Sequence, residues 1–112
     1  MSEKISHEQY VELTRAKVVI TAKAMLEGEI SYLVGARKLD SFRHDVDLAE
    51  DDLDFRVFIA IASDSDDFPL GPVREYWDST ALAKLQPELD AAESWAKQYG
   101  EQSCKNLIRR FS

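Results

Sequence analysis

Phe55-Arg56-Val57-Phe58-Ile59-Ala60-Ile61-Ala62 is the stretch on which the fold turns. It is apolar at every position after Arg56 and dense in β-branched and aromatic side chains. That composition favours a strand, and the absence of alternation implies cover on both faces. The flanking segments support the same reading. His44 to Asp54 is polar and acidic without a clear period, which reads as a loop. Ser63-Asp64-Ser65-Asp66-Asp67 reads as a turn-rich loop. Pro69 to Trp77 would then return as a second strand through Val73, Glu75 and Trp77, confined to an edge by Pro72. The expected centre is a short antiparallel β element.

Helical patterns surround it. Ser6-x-x-Gln9 has the form of a capping box, with Ile5 placed as a hydrophobic staple. No Gly or Pro occurs from His7 to Glu27. Two apolar lines run down this helix: Tyr10, Leu13, Ile20 and Ala24, broken by Lys17, and beside them Val11, Val18, Ala22 and Met25. Both are expected in the core. Gly28 ends or interrupts the helix. A second helix is expected from about Glu29 to Arg43, burying Ile30, Leu33, Val34 and Phe42. Gly35 inside it costs about 1 kcal/mol against alanine unless another backbone packs closely there. Ser79 is a candidate N-cap for a short helix through Leu85. Pro87 suits the first turn of a last helix reaching Phe111. Leu89, Ala92, Ala96, Tyr99, Ser103 and Leu107 mark its inner stripe, and Gly100 is a candidate bend. The expected class is α+β, a mostly helical single domain over residues 1–112.

Composition narrows the function classes. The chain has 112 residues, 45% hydrophobic and 31% charged, which suits one ordinary core rather than a disordered or membrane-spanning chain. Its longest strongly apolar run, Val57–Ala62, is far short of the ~20 residues a spanning helix needs. The start, Met1-Ser2-Glu3-Lys4-Ile5-Ser6, lacks the apolar block of a secretion signal. Cys104 is the single cysteine, so no internal disulfide forms, and the cytoplasm is the expected compartment.

The net charge is −7 and unevenly placed. Between Asp40 and Phe68 ten acids face only Arg43 and Arg56, a local −8, while the rest of the chain carries eleven acids and twelve bases. Such a field repels nucleic acid and anionic lipid, and attracts cations or a basic protein surface. Asp64-x-Asp66 resembles the opening of a calcium loop, and Glu75 fits its twelfth position. Phe68 and Pro69, however, occupy its fifth and sixth positions, where an oxygen ligand and a glycine belong. His44-Asp45-x-Asp47 brings metal-ligand types together with nothing further to complete a site. There is no Gly-x-Ser-x-Gly elbow and no phosphate-cradling glycine loop. Cys104 reads as a core residue. Tyr76 and Trp77, if exposed near the carboxylates, would be contact anchors.

Three stretches, Gly28-Glu29-Ile30-Ser31-Tyr32-Leu33-Val34-Gly35-Ala36-Arg37-Lys38-Leu39, Ile61-Ala62-Ser63-Asp64-Ser65-Asp66 and Leu70-Gly71-Pro72-Val73-Arg74-Glu75-Tyr76-Trp77, together resemble small uncharacterised bacterial cytosolic proteins. In size and acidity the chain is also similar to bacterial toxin-immunity proteins. Neither likeness carries a functional residue onto this sequence.

The leading functional expectation is a binding module whose acidic face engages a basic protein partner, toxin immunity being one form. The face comprises Asp45, Asp47, Glu50, Asp51, Asp52, Asp54, Asp64, Asp66 and Asp67. The alternatives are a small metal-binding protein or enzyme using loop carboxylates, and a structural homo-oligomer. The last would be a homodimer pairing through the strand edge or the last helix. No catalytic residue, metal ligand or cofactor is assigned, and neither nucleic acid nor membrane is an expected partner.

Overall fold

The structure, a computed structural model, describes residues 6–46 and 52–112. Four α-helices follow in order: α1 (His7–Leu26), α2 (Tyr32–Phe42), α3 (Leu53–Asp64) and α4 (Ser79–Phe111). Two 3₁₀ helices, Arg43–Asp45 and Gly71–Tyr76, lie after α2 and α3. No strand occurs among the described residues. The class is therefore all-α, which corrects the α+β expectation and its antiparallel β element.

The correction has a physical cause at each site. A continuous apolar run cannot distinguish a doubly covered strand from a helix buried on most of its circumference. In α3 the fully buried residues are Phe55, Phe58, Ile61 and Ala62, at three-to-four spacing, while Val57, Ile59 and Ala60 are half-buried. The deciding signal sits before the run. Asp52 is the N-cap, its carboxylate accepting from the backbone N–H of Asp54 and Phe55, and Asp54 lies in the first turn, where the helix dipole favours negative charge. What reads as the end of an acidic loop is a helix start. Over Gly71–Tyr76 a 3₁₀ helix takes the place of the expected second strand.

α1 forms as its sequence dictates. Ser6 Oγ accepts from the Gln9 N–H at 3.1 Å, and Gln9 Oε1 accepts from the Ser6 N–H at 3.0 Å. The helix ends in a Schellman motif, with Glu29 N–H bonded to the Ala24 carbonyl and Gly28 N–H to that of Met25. Gly28 has φ +78°, a conformation few side chains tolerate. Of the two apolar lines, Val11, Val18, Ala22 and Met25 are buried. Tyr10, Leu13 and Ile20 face out, 41%, 54% and 67% exposed.

α2 starts three residues later than expected. Ser31 caps it through the Val34 N–H, and Glu93 of α4 accepts from the N–H groups of Tyr32 at 2.7 Å and Leu33 at 3.2 Å. Two side chains thus satisfy the orphan donors of that terminus. At Gly35 the Met25 side chain of α1 occupies the space a Cβ would take. After α2 the chain is held by Arg15, which donates to the Val46 carbonyl at 2.8 and 3.0 Å and lies over the Phe111 ring.

α4 is one helix of 33 residues rather than two. Asp78, not Ser79, is its N-cap, and Pro87 lies inside it. Proline there removes the bond to the Ala83 carbonyl, at an exposed position where the lost bond costs less than it would in the core. At ~1.5 Å per residue the helix is about 50 Å long, which matches the molecule's longest dimension of 50 Å. α4 is the spine. Met25 against Cys104 and Arg15 against Phe111 show α1 antiparallel to it. Asp54 bonded to Asn106, with Phe58 and Ile61 flanking Gly100, shows α3 antiparallel too. The core gathers Val18, Met25, Leu39, Val46, Phe58, Ile61, Cys104 and Leu107, all essentially without solvent contact.

Candidate functional site along the acidic edge of α3

The acidic segment divides into two chemically different ends of one helix. At the start of α3, Asp52 and Asp54 face the last turns of α4. Arg110 Nη2 donates to Asp52 Oδ2 at 2.7 Å, and its Nη1 to Asp54 Oδ2 at 2.8 Å and Asp52 Oδ1 at 3.1 Å. Asn106 Nδ2 completes the set on Asp54 Oδ1 at 3.0 Å. The two carboxylates are only 12% and 14% exposed. Arg110 holds the Asp52 carboxyl below the usual carboxylate range, partial burial opposes that shift, and the N–H groups of Phe55 and Asp54 reinforce it. The same pairing raises the Arg110 guanidinium. These two acids clamp α3 to α4 and are consumed by the fold.

At the other end, Asp64 closes α3, and Asp66 and Asp67 follow in the turn. All three are exposed, and none takes part in an ion pair among the described residues. The backbone beneath them is pinned. Arg37 donates to the carbonyls of Ser65 and Phe68, and Ser65 Oγ donates to the Ile61 carbonyl at 2.7 Å. Three carboxylates therefore stand on a fixed scaffold.

Asp45 lies in the 3₁₀ helix after α2. Its hydrogen bond and charge raise the Tyr10 phenol. Asp40, on α2, is paired with Arg43 at 2.9 Å. Asp47, Glu50 and Asp51 lie outside the described residues. Of the nine acids expected to form one face, the structure thus sets Asp64, Asp66 and Asp67 apart from Asp52 and Asp54.

Exposed aromatic side chains lie on α4 and on the 3₁₀ helix after the acidic turn. Trp95 and Tyr99 stack with ring centroids 5.5 Å apart and planes 19° apart, and both are well exposed. They occupy the stripe of α4 that also carries Asn106 and Arg110, four, eleven and fifteen residues along from Trp95. Given the antiparallel register of α3, that stripe brings the aromatic pair to the level of the C-terminal turn of α3. Tyr76, on the 3₁₀ helix after the acidic turn, is 86% exposed.

Chemistry at buried groups is disfavoured. The Cys104 thiol is pushed up to about 12, mainly by burial and then by Glu101, and donates to Met25 Sδ. It is a protonated core residue rather than a nucleophile. The Tyr32 hydroxyl is buried with no hydrogen-bond partner among the described residues and pushed up to about 12, again chiefly by burial. Among the described residues no three His, Cys, Asp or Glu side chains converge as metal ligands would. No helix among the described residues is long and apolar enough to cross a membrane. No protein-family model, curated protein or solved structure matches the chain.

Proposed function

We propose that the chain is a protein-binding module whose acidic turn, Asp64, Asp66 and Asp67, engages a basic partner surface in the cytoplasm, the capture of a basic toxin being one form. The observation that carries this reading is the contrast between the ends of α3. Where Asp52 and Asp54 meet an arginine, the molecule supplies its own. At the other end the more exposed carboxylates of Asp64, Asp66 and Asp67 stand on a hydrogen-bonded backbone and form no ion pair among the described residues. Rigid, uncompensated charge lowers the ordering cost of binding and steers an oppositely charged partner. Trp95, Tyr99 and Tyr76 supply apolar area of the kind that anchors interfaces.

The test uses an arginine-rich peptide titrated by calorimetry at low and at physiological salt. Wild-type binding is expected to weaken as salt rises. Asp64→Asn combined with Asp66→Asn and Asp67→Asn is expected to weaken low-salt binding by about ten-fold, with an unchanged thermal melt. Equal binding by the triple variant overturns the proposal. Asp52 and Asp54 are left intact in this experiment because they hold α3 in place.

A further inference from the structure

Among the described residues the outer face of α1 lies open to solvent, an apolar line broken by Lys17 and flanked by patterned charge. Leu13 and Ile20, 54% and 67% exposed, lie seven residues apart and so share one face, with Tyr10 at its margin. Glu12 and Lys23, both exposed, lie eleven residues apart. Eleven residues make about three turns, so both fall on the same flank of that face.

We infer that this face docks a second copy of the chain, the two α1 helices crossing antiparallel on a two-fold axis. An isologous contact requires a surface that is its own complement. Antiparallel pairing sets Leu13 of one copy against Ile20 of the other, twice. In the same register like flanks meet, so Glu12 of one copy faces Lys23 of the other, again twice. The acid in the first half of α1 and the base in its last turns thus find each other only in the antiparallel arrangement; a parallel two-fold pair brings unlike flanks together at equal heights, which leaves Glu12 and Lys23 apart. Lys17, which breaks the apolar line, meets its own copy near the axis. That is the one like-charged contact, relieved as the long stem carries each ammonium to solvent. Two aliphatic residues per copy make a small seam, so the dimer is weak, with a dissociation constant of roughly 10–100 µM.

Sedimentation equilibrium on the full chain from about 5 to 500 µM tests this, with the concentration range set by that affinity. Wild type is expected to pass from monomer to dimer across that range. Leu13→Glu is expected to hold it monomeric. Glu12→Lys alone and Lys23→Glu alone are each expected to weaken the dimer about five-fold, and the double reversal to restore it. Lys17→Gln is expected to tighten it. All these positions are exposed, and matching far-UV circular dichroism confirms that each variant is folded. A wild-type monomer at every concentration overturns the inference. So does a dimer that ignores Leu13→Glu, or a double reversal that fails to restore association. The Asp64, Asp66 and Asp67 triple variant is expected to dimerise like wild type, which separates this interface from the acidic turn.

Discussion

Phe58→Ala is expected to lower the unfolding free energy by about 3–5 kcal/mol, the range for emptying a fully buried aromatic site. Phe58 has no solvent contact and is the largest fully buried side chain. Its ring lies where α3 meets the α4 backbone: a Cβ on Gly100 would stand 3.1 Å from Phe58 Cε1 and 3.2 Å from Ile61 Cδ1. The two helices are in close contact along this line, so the cavity has little slack with which to collapse. Domains of this size have about 5–15 kcal/mol in all, so the variant should sit near the edge of folding. Urea denaturation checks it, through a lower midpoint at an unchanged slope. Position dependence carries more information than the single value. A helix predicts that Phe58→Ala and Ile61→Ala are far more damaging than Val57→Ala and Ile59→Ala, whose side chains are half-buried. A strand would instead group Val57, Ile59 and Ile61 on one face.

Asp52→Ala is expected to cost about 2 kcal/mol near neutral pH. Roughly 1 kcal/mol is the lost N-cap of α3, and about 1 kcal/mol the lost pairing with Arg110, kept small because Arg110 remains partly solvated. The cost should depend on pH in a definite direction. The folded-state pKa of Asp52 is lowered, mainly by Arg110. Its stabilisation is therefore fully present above the unfolded value of about 3.9 and is lost as pH falls through the lower folded value. Wild type and variant should differ by the full amount at pH 6–7, and the difference should shrink below about pH 4 toward the cap's share of roughly 1 kcal/mol. Asp52→Asn should keep most of the cap and lose the acid dependence. A difference that stays constant from pH 7 down to about pH 2.5 would show that the Asp52–Arg110 pair contributes no stability.

These two residues also show where the sequence was legible. The capping box at Ser6 and the glycine terminus at Gly28 are local signals, and each is realised; at Gly35 it is the Met25 side chain, not another backbone, that takes the space. The inner stripe of α4 is realised at Leu89, Ala96, Ser103 and Leu107, whereas Tyr99 faces out and Gly100 and Cys104 turn in. Two apolar lines on α1 are one more than its neighbours can cover, and periodicity alone does not say which faces inward. The acidic segment misled for a different reason. Asp52 is bound by Arg110, 58 residues away in sequence, so local charge counting sees a free carboxylate where the fold has a closed pair. Asp64, Asp66 and Asp67 take part in no ion pair among the described residues.

The helical character of residues 53–64 decides how the acids are sorted, since only a helix puts Asp52 at a cap and Asp64 at the far end. Backbone Cα and Cβ chemical shifts over this segment measure it directly. Helical secondary shifts are expected to run unbroken from Leu53 to Asp64. Extended-type shifts over Phe55–Ala62 would contradict it.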